Sequence, residues 1–320
     1  MKYEKIKNEY LKKINKIVGL NKNYYDKNDP LVSDNEYDNL KKEILNLEKS
    51  YEFLKHEDSP SKTVGYKPSR IFKKVAHKIP MLSLSNAFSK EDLINFEKRI
   101  INYLDEKDNF KIEYSAEPKI DGISASLFYK KGKFIAGLSR GDGKEGEDIT
   151  ENLRTIGDIP DFIGAKNFPK EIDIRGEVFI KNSDFKKISN KFANPRNAAS
   201  GSLRQKNSRE TKKIPLKFIA YTFGFEKNLN TNTQSEYLNN LSNWGFKTNP
   251  LNKKISGINN LLENYNEIEK NRKKLDFDID GIVYKVNDLK LQRRLGNVAN
   301  APRWAICLLY TSPSPRDGLL

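Results

Sequence analysis

Between residues 111 and 286 the chain carries six segments patterned as β-strands: KIEYSAE, ISASLFY, KFIAGLS, EIDIRGEVFI, LKFIAYTFGF and DIDGIVYKV. Tyr129 and Phe134 flank the turn Lys130-Lys131-Gly132-Lys133, which predicts a β-hairpin. Hairpins and irregular spacing point to an antiparallel α+β domain rather than regular βαβ winding. In the last segment, alternation sets Val283 and Lys285 on one face and Ile282 and Tyr284 on the other.

The front of the chain has a different period. Ile6, Tyr10, Leu11, Ile14 and Val18 recur at helical spacing, with Gly19 as the expected stop. Ser33 and Glu36 form a capping-box signature for a second helix, whose apolar face carries Tyr37, Leu40, Ile44, Leu47, Tyr51 and Leu54. A polar, turn-rich loop, HEDSPSKTVGYKPSR, closes this unit, so the expected division is a small helical domain over 1–70 and a larger domain from 71. Within the larger domain Ser89 is expected to cap a helix carrying Leu93, Phe96, Ile100, Ile101 and Leu104.

A formal net charge of +15 suits a polyanionic partner, nucleic acid first, but equally a lysine-rich surface. A single cysteine, Cys307, rules out an intrachain disulfide and a multi-cysteine zinc site. With two histidines in unrelated contexts, His56 and His77, chemistry falls to lysine, arginine and carboxylates. No apolar run spans a bilayer, and MKYEKIKNEYLKK lacks the apolar core of a signal peptide, so a cytoplasmic location is expected.

Four motifs could carry chemistry. Lys119-Ile120-Asp121-Gly122 offers a lysine that burial or neighbouring charge could turn into a nucleophile, Asp121 to orient it, and Gly122 to let backbone approach a nucleotide. By itself the pattern recurs by chance in roughly one of five to ten such sequences. Gly141, Gly143 and Gly146 spell G-x-G-x-x-G, yet the preceding strand belongs to a hairpin; a turn presenting Arg140 to a phosphate or ribose fits better than a Rossmann site. Arg175-Gly176-Glu177 places a carboxylate on a strand, and Asp280-Gly281-Ile282-Val283-Tyr284-Lys285 sets a lysine that snorkels or reaches a phosphate.

In order and spacing these motifs resemble those of covalent nucleotidyltransferases. The segments AEPKIDG, SRGDGKEGEDITENLRTI, RGEVF, FANPRNAASGSLRQ, APRWAI and HKIPMLSLSNAF resemble, more narrowly, bacterial NAD-dependent DNA ligase over about residues 1–307. The resemblance implies that Lys119 attacks the α-phosphate of NAD and keeps AMP as a phosphoramidate. It implies adenine contact by Glu117, ribose contact by Arg140 and Glu177, a place in the phosphate pocket for Lys285, and pocket lining by Ser83 and Leu84. Tyr24, Asp34, Tyr37 and Asp38 match residues that hold the nicotinamide mononucleotide half, where Tyr25 stands in place of a histidine found in some members. Arg196, Arg204 and Arg272 match positions that touch the backbone of nicked double-stranded DNA. Magnesium and a monomeric state are implied as well, and zinc only for a C-terminal region beyond this chain.

The sequence departs from the family near its end. From about Leu308 it reads LLYTSPSPRDGLL, which resembles adapter read-through, so 308–320 is expected to be a non-native tail and 71–307 the adenylation domain. Leu309 stands where the family has a second phosphate-contacting lysine. The expectation is slow self-adenylation and no efficient nick sealing. An ATP-dependent ligase or capping enzyme, and a DNA-binding protein without catalysis, stay open as alternatives.

Overall fold

The computed structural model describes residues 2–22, 32, 34–62, 72–107 and 109–310. Tyr24, Tyr25, Ser33 and residues 311–320 lie outside the described residues, as do the side chains of Asp34 and Asp38. Helices α1 (Lys2–Lys22) and α2 (Asp34–Ser50) pack through Tyr10, Ile14, Ile17, Leu40 and Ile44. Tyr10 Oη donates to Glu48 (2.6 Å) and Lys13 pairs with Glu43 (2.6 Å) across them. Contrary to the expected stop, α1 runs through Gly19, because Leu20 on the next position continues the apolar face into the shared core. The second helix ends before Tyr51, and a turn from Leu54 N–H to the Tyr51 carbonyl (3.0 Å) still delivers Leu54 to that core.

The larger part runs β1 (Lys74–Ala76), β2 (Ser85–Ala87), α3 (Lys90–Leu104), β3 (Glu113–Ile120), β4 (Ile123–Lys130), β5 (Lys133–Ser139), β6 (Glu145–Glu147), α4 (Thr150–Leu153) and β7 (Glu171–Ile180). There follow α5 (Asn182–Phe185), α6 (Pro195–Leu203), α7 (Ser208–Lys212), β8 (Leu216–Lys227), α8 (Gln234–Asn243), β9 (Lys253–Ser256) and α9 (Ile258–Asn271). The chain closes with β10 (Ile279–Val286), α10 (Leu289–Leu295), β11 (Asn297–Val298), β12 (Ala301–Pro302) and β13 (Ala305–Leu309). One sheet has the order β2-β13-β10-β3-β9 and the other β5-β4-β7-β8. Their pairs are antiparallel apart from β2 with β13, which confirms the α+β expectation. Each sheet buries one face against helices. Leu93, Phe96, Ile100 and Leu104 of α3 cover the first, with Ser89 capping that helix in a capping box with Asp92. Tyr237, Leu238 and Leu241 of α8 and Ala198, Ala199 and Leu203 of α6 cover the second.

The predicted hairpin is β4–β5. Lys131 (φ 50°) and Gly132 (φ 77°) form a two-residue turn whose twist matches the strands. The glycine-rich run is a turn between β5 and β6, and β6 pairs antiparallel with β1; no Rossmann strand–helix step follows it. Asp142 Oδ1 accepts from the Lys144 and Glu145 amides (2.9 and 2.8 Å) and closes that turn.

Two findings bear on the site. One residue past Lys119, after Ile120, the chain leaves the first sheet and enters the second, turning at Asp121-Gly122. A Cβ on Gly122 would collide with the Val178 carbonyl and Glu177 Cγ, so this glycine serves the close approach of β4 to β7 rather than of backbone to a nucleotide. The last strand continues past residue 307: Leu308 enters the main core, Leu309 turns to the opposite face, and the Tyr310 amide donates to the Asp280 carbonyl (3.0 Å).

Candidate active site

The faces of the two sheets that helices do not cover enclose a cavity of about 790 Å³, in the range of small-molecule sites. Its floor follows from strand register. Lys119 on β3 lies beside Gly281 on β10, which lies beside Leu309 on β13, and Glu117 lies beside Val283 and then Cys307. Period two therefore puts Glu117, Lys119, Val283, Lys285 and Leu309 on one face. Val283, Cys307 and Leu309, with Leu84 and Phe88, make a small apolar patch between the charged positions.

Lys119 Nζ is held by the Asp280 carboxylate. The neighbouring Asp121 is buried and accepts from Arg196 Nη1 (2.7 Å), while its own amide donates to the Asp278 carbonyl (2.9 Å). Glu177 reaches the same end of the cavity from β7, with its Oε2 accepting from Ser124 Oγ (2.9 Å). Burial pushes the Glu177 carboxyl up to about 7, against the pull of Arg196 and Lys119. This carboxyl thus exchanges a proton near neutrality beside a lysine.

At the other end Glu117 is enclosed by donors. Ser115 Oγ and Gln234 Nε2 both donate to its Oε1 (2.9 Å each), and Lys285 Nζ donates to Oε2 (2.6 Å). Lys285 also donates to the Tyr221 carbonyl (3.0 Å) and lies 5.3 Å from the centre of that ring. The resemblance put Lys285 among phosphate contacts; its ammonium is engaged at Glu117, four residues along β10 from the glycine that faces Lys119.

The wall over this floor is the segment leading into β2. Arg140 Nη2 donates to Ser83 Oγ (3.0 Å), and the Ser83 amide donates to the Asn300 carbonyl (2.8 Å). Buried Arg175 donates to the carbonyls of Ile79 and Pro80 and fixes the same segment from beneath. Gly224 makes room for that guanidinium, which a Cβ there would strike. From the helical unit, Leu20, Asn21, Val32, Tyr37 and Lys41 line the cavity, and Tyr37 Oη donates to Asn21 Oδ1 (2.8 Å).

The structure thus brings Tyr37, Ser83, Leu84, Glu117, Lys119, Arg140, Glu177 and Lys285 to one cavity, with Asp121 joined to it through Arg196. Arg196, expected at the DNA backbone, lines this cavity. Arg204 caps α6 and pairs with Glu147 (3.2 Å), and Arg272 stacks over Tyr310 (4.8 Å); neither lines it. Tyr24 and the side chains of Asp34 and Asp38 lie outside the described residues. Sequence reasoning missed Asp280, Ser124, Arg175, Tyr221 and Gln234. Asp280 and Arg175 stand within motifs already singled out, whereas Tyr221 sits in an ordinary aromatic strand and Gln234 at a helix start, where no local pattern marks them.

Comparison with known proteins agrees with this geometry. Residues 4–65 match the DNA ligase-like, N-terminal NAD+-binding domain. A protein of Pelagibacter ubique named DNA ligase is 67% identical over 306 residues, covering 96% of this chain and 45% of that protein. DNA ligases of Parvibaculum lavamentivorans (48% identical) and Xanthobacter autotrophicus (46%) cover 88% and 91% of the chain and 41% of their own lengths. The chain therefore spans less than half the length of these relatives. Residues 69–313, most of the chain and all of the cavity floor, match the NAD-dependent DNA ligase adenylation domain, and the chain belongs to the NAD-dependent DNA ligase family.

Proposed function

We propose that this chain is the adenylating part of an NAD-dependent DNA ligase, with Lys119 as the nucleophile. The observation that carries the reading is one strand face with a base-reading pair at one end and a lysine at the other. Glu117 Oε2 and Lys285 Nζ, 2.6 Å apart, present an acceptor beside a donor. The adenine edge presents the reverse, an amine beside a ring nitrogen, so the pair is complementary to it. Two residues further along β3, about 6.6 Å at strand rise, stands Lys119, where the 5′-phosphorus of that nucleoside would lie.

In the step itself the neutral amine of Lys119 forms an N–P bond to the α-phosphorus of NAD. The bond from that phosphorus to the bridging oxygen breaks, and nicotinamide mononucleotide leaves with the electron pair. Asp280 holds the lysine before reaction, and Glu177, whose carboxyl burial pushes up to about 7 and which feels the Lys119 charge, would take up the ammonium proton. Arg140 and Glu177 suit the ribose, and Ser83 and Leu84 line the wall beside it. In the helical unit Tyr37, with Tyr24, Asp34 and Asp38, is assigned to the nicotinamide half; aromatic and carboxylate groups suit a cationic ring.

The adenylate would then pass to the 5′-phosphate of nicked double-stranded DNA for joining to the 3′-hydroxyl, the chemistry that replication and repair require. Arg196, paired with Asp121 and lining the same cavity as Lys119, would contact that 5′-phosphate, and the partly exposed Arg204 and Arg272 backbone phosphates. For magnesium, no group of three or more His, Cys, Asp or Glu side chains among the described residues forms a cage. Mg2+ usually rides on substrate phosphates with one or two carboxylates. A cytoplasmic monomer is the proposed form; among the described residues no helix is long and apolar enough to cross a membrane.

The match of residues 4–65 to an NAD+-binding domain supports NAD over ATP as adenylate donor. The test is covalent label transfer from adenylate-labelled NAD, read on a denaturing gel. Label that Lys119→Ala abolishes and nicotinamide mononucleotide strips supports the reading. Transfer from ATP but not NAD would replace it with the ATP-dependent alternative, and unchanged activity in Lys119→Ala with the binding-only one.

A further inference from the structure

The carboxylate of Glu117 reads a base correctly only if one oxygen is presented and the other is occupied. The strand itself offers only the Ser115 hydroxyl for this, and a glutamate has three side-chain torsions to hold. The structure supplies the constraint from α8. Gln234, fully buried at the first position of that helix, donates through Nε2 both to Glu117 Oε1 and to the Tyr221 carbonyl (2.9 Å each). Two acceptors on one side fix which end of the amide faces them. Ser115 Oγ gives Oε1 its second donor.

The helix start that carries Gln234 is itself bolted to the strand carrying Lys285. The Gln234 amide donates to the Asn287 carbonyl (2.7 Å), and the Ser235 amide and hydroxyl donate to Asn287 Oδ1 (2.9 and 2.8 Å). Thr233 and Glu236 close a capping box over the same turn. Helix α8, strand β3 and strand β10 are thereby braced around a single carboxylate.

We infer that Gln234, assisted by Ser115, is a positioning residue that sets base selectivity by saturating Glu117 Oε1 and leaving Oε2 to accept from the ligand. The inference rests on the adenine reading of the Glu117–Lys285 pair. With Oε1 saturated, only Oε2 meets the base edge, next to the Lys285 donor. A purine bearing a carbonyl where adenine has its amine then sets oxygen against carboxylate. Without Gln234 the carboxylate is free to shift, so that it can accept from the ring N–H of such a purine while Lys285 donates to the carbonyl, and the discrimination falls.

The experiment is calorimetric titration of the chain with adenosine monophosphate and with inosine monophosphate, which differ in that one group and need no chemistry. The unaltered chain is expected to prefer the adenine nucleotide. Gln234→Leu is expected to cut the preference about tenfold, the effect of one hydrogen bond to a charged group. Ser115→Ala, a smaller change at the same oxygen, is expected to cut it severalfold and decides the matter alone if Gln234→Leu does not fold. A merely structural role would weaken both nucleotides together and leave their ratio unchanged. A ratio within twofold of the unaltered chain in the folded variants would overturn the inference while leaving the adenine reading intact. No preference in the unaltered chain would overturn that reading first, and this inference with it.

Discussion

Replacing Leu309 with lysine should raise the rate of Lys119 adenylation by two to three orders of magnitude. Leu309 and Lys119 flank Gly281 across two strand spacings, so their Cα atoms stand about 10 Å apart on one face. Two lysine stems rising from these positions converge on the same volume, and a shared phosphate would neutralise both. A unit charge about 4 Å from another contributes roughly 4 kcal/mol at an effective dielectric constant near 20. Loss of a single preorganised donor to a developing oxyanion costs about 10²–10³-fold, which bounds what survives after the new cation is desolvated. The change also removes an apolar side chain from the patch with Val283, Cys307, Leu84 and Phe88, a loss of about 1.5–3 kcal/mol before the lysine stem recovers part of it. The melting temperature should therefore fall while the rate rises. The assay is single-turnover label transfer from adenylate-labelled NAD, with Leu309→Met as the uncharged control of similar size. A folded Leu309→Lys protein labelling within threefold of Leu309→Met would refute the register argument.

Three further outcomes follow from the site. The Glu177 carboxyl titrates near 7 when folded and near the ordinary 4.5 when unfolded, so its contribution is full below about 4.5 and is lost as pH rises through 7; Glu177→Gln should flatten that fall in a melting curve series, and an unchanged slope would count against the shift. Gly224→Ala should displace Arg175 from the Ile79 and Pro80 carbonyls, costing about 1–3 kcal/mol by overpacking and weakening nucleotide binding; calorimetry showing both unaltered would disprove the strut. The chain with Leu309 should bind nicked DNA weakly and fail to seal a nicked plasmid, and efficient sealing by the purified protein would contradict the importance given to position 309.

Much of this architecture was legible because it rests on local rules. The alternation of β10 foretold that Val283 and Lys285 would oppose Ile282 and Tyr284, and the structure puts the first two toward the cavity and the latter in the core. Ser89 announced a helix start, and the Lys131-Gly132 turn its hairpin. What was not legible is set by pairing over long sequence distances. That Lys119 would be met by Asp280, 161 residues away, depends on β3 and β10 being neighbours. Helix α1 overran Gly19 because packing of Leu20 outweighs the roughly 1 kcal/mol that a mid-helix glycine costs. The support of Glu117 by Gln234, 117 residues on, joins a helix start to a strand and leaves no periodic trace.

The strand order β2-β13-β10-β3-β9 has a consequence for how the protein comes into being. Early β2 and late β13 lie side by side, so the cavity wall near Ser83 and the floor near Leu309 are joined only when more than 200 residues of intervening chain have been closed into a loop. Such distant pairing is slow to form because the entropy of closure is lost before contacts reward it. On the ribosome, the helical unit and the β4–β5 hairpin can form as they emerge, whereas Lys119 has no finished pocket until β13 is released. A chain interrupted upstream of β13 would display Lys119 without the sheet that surrounds it.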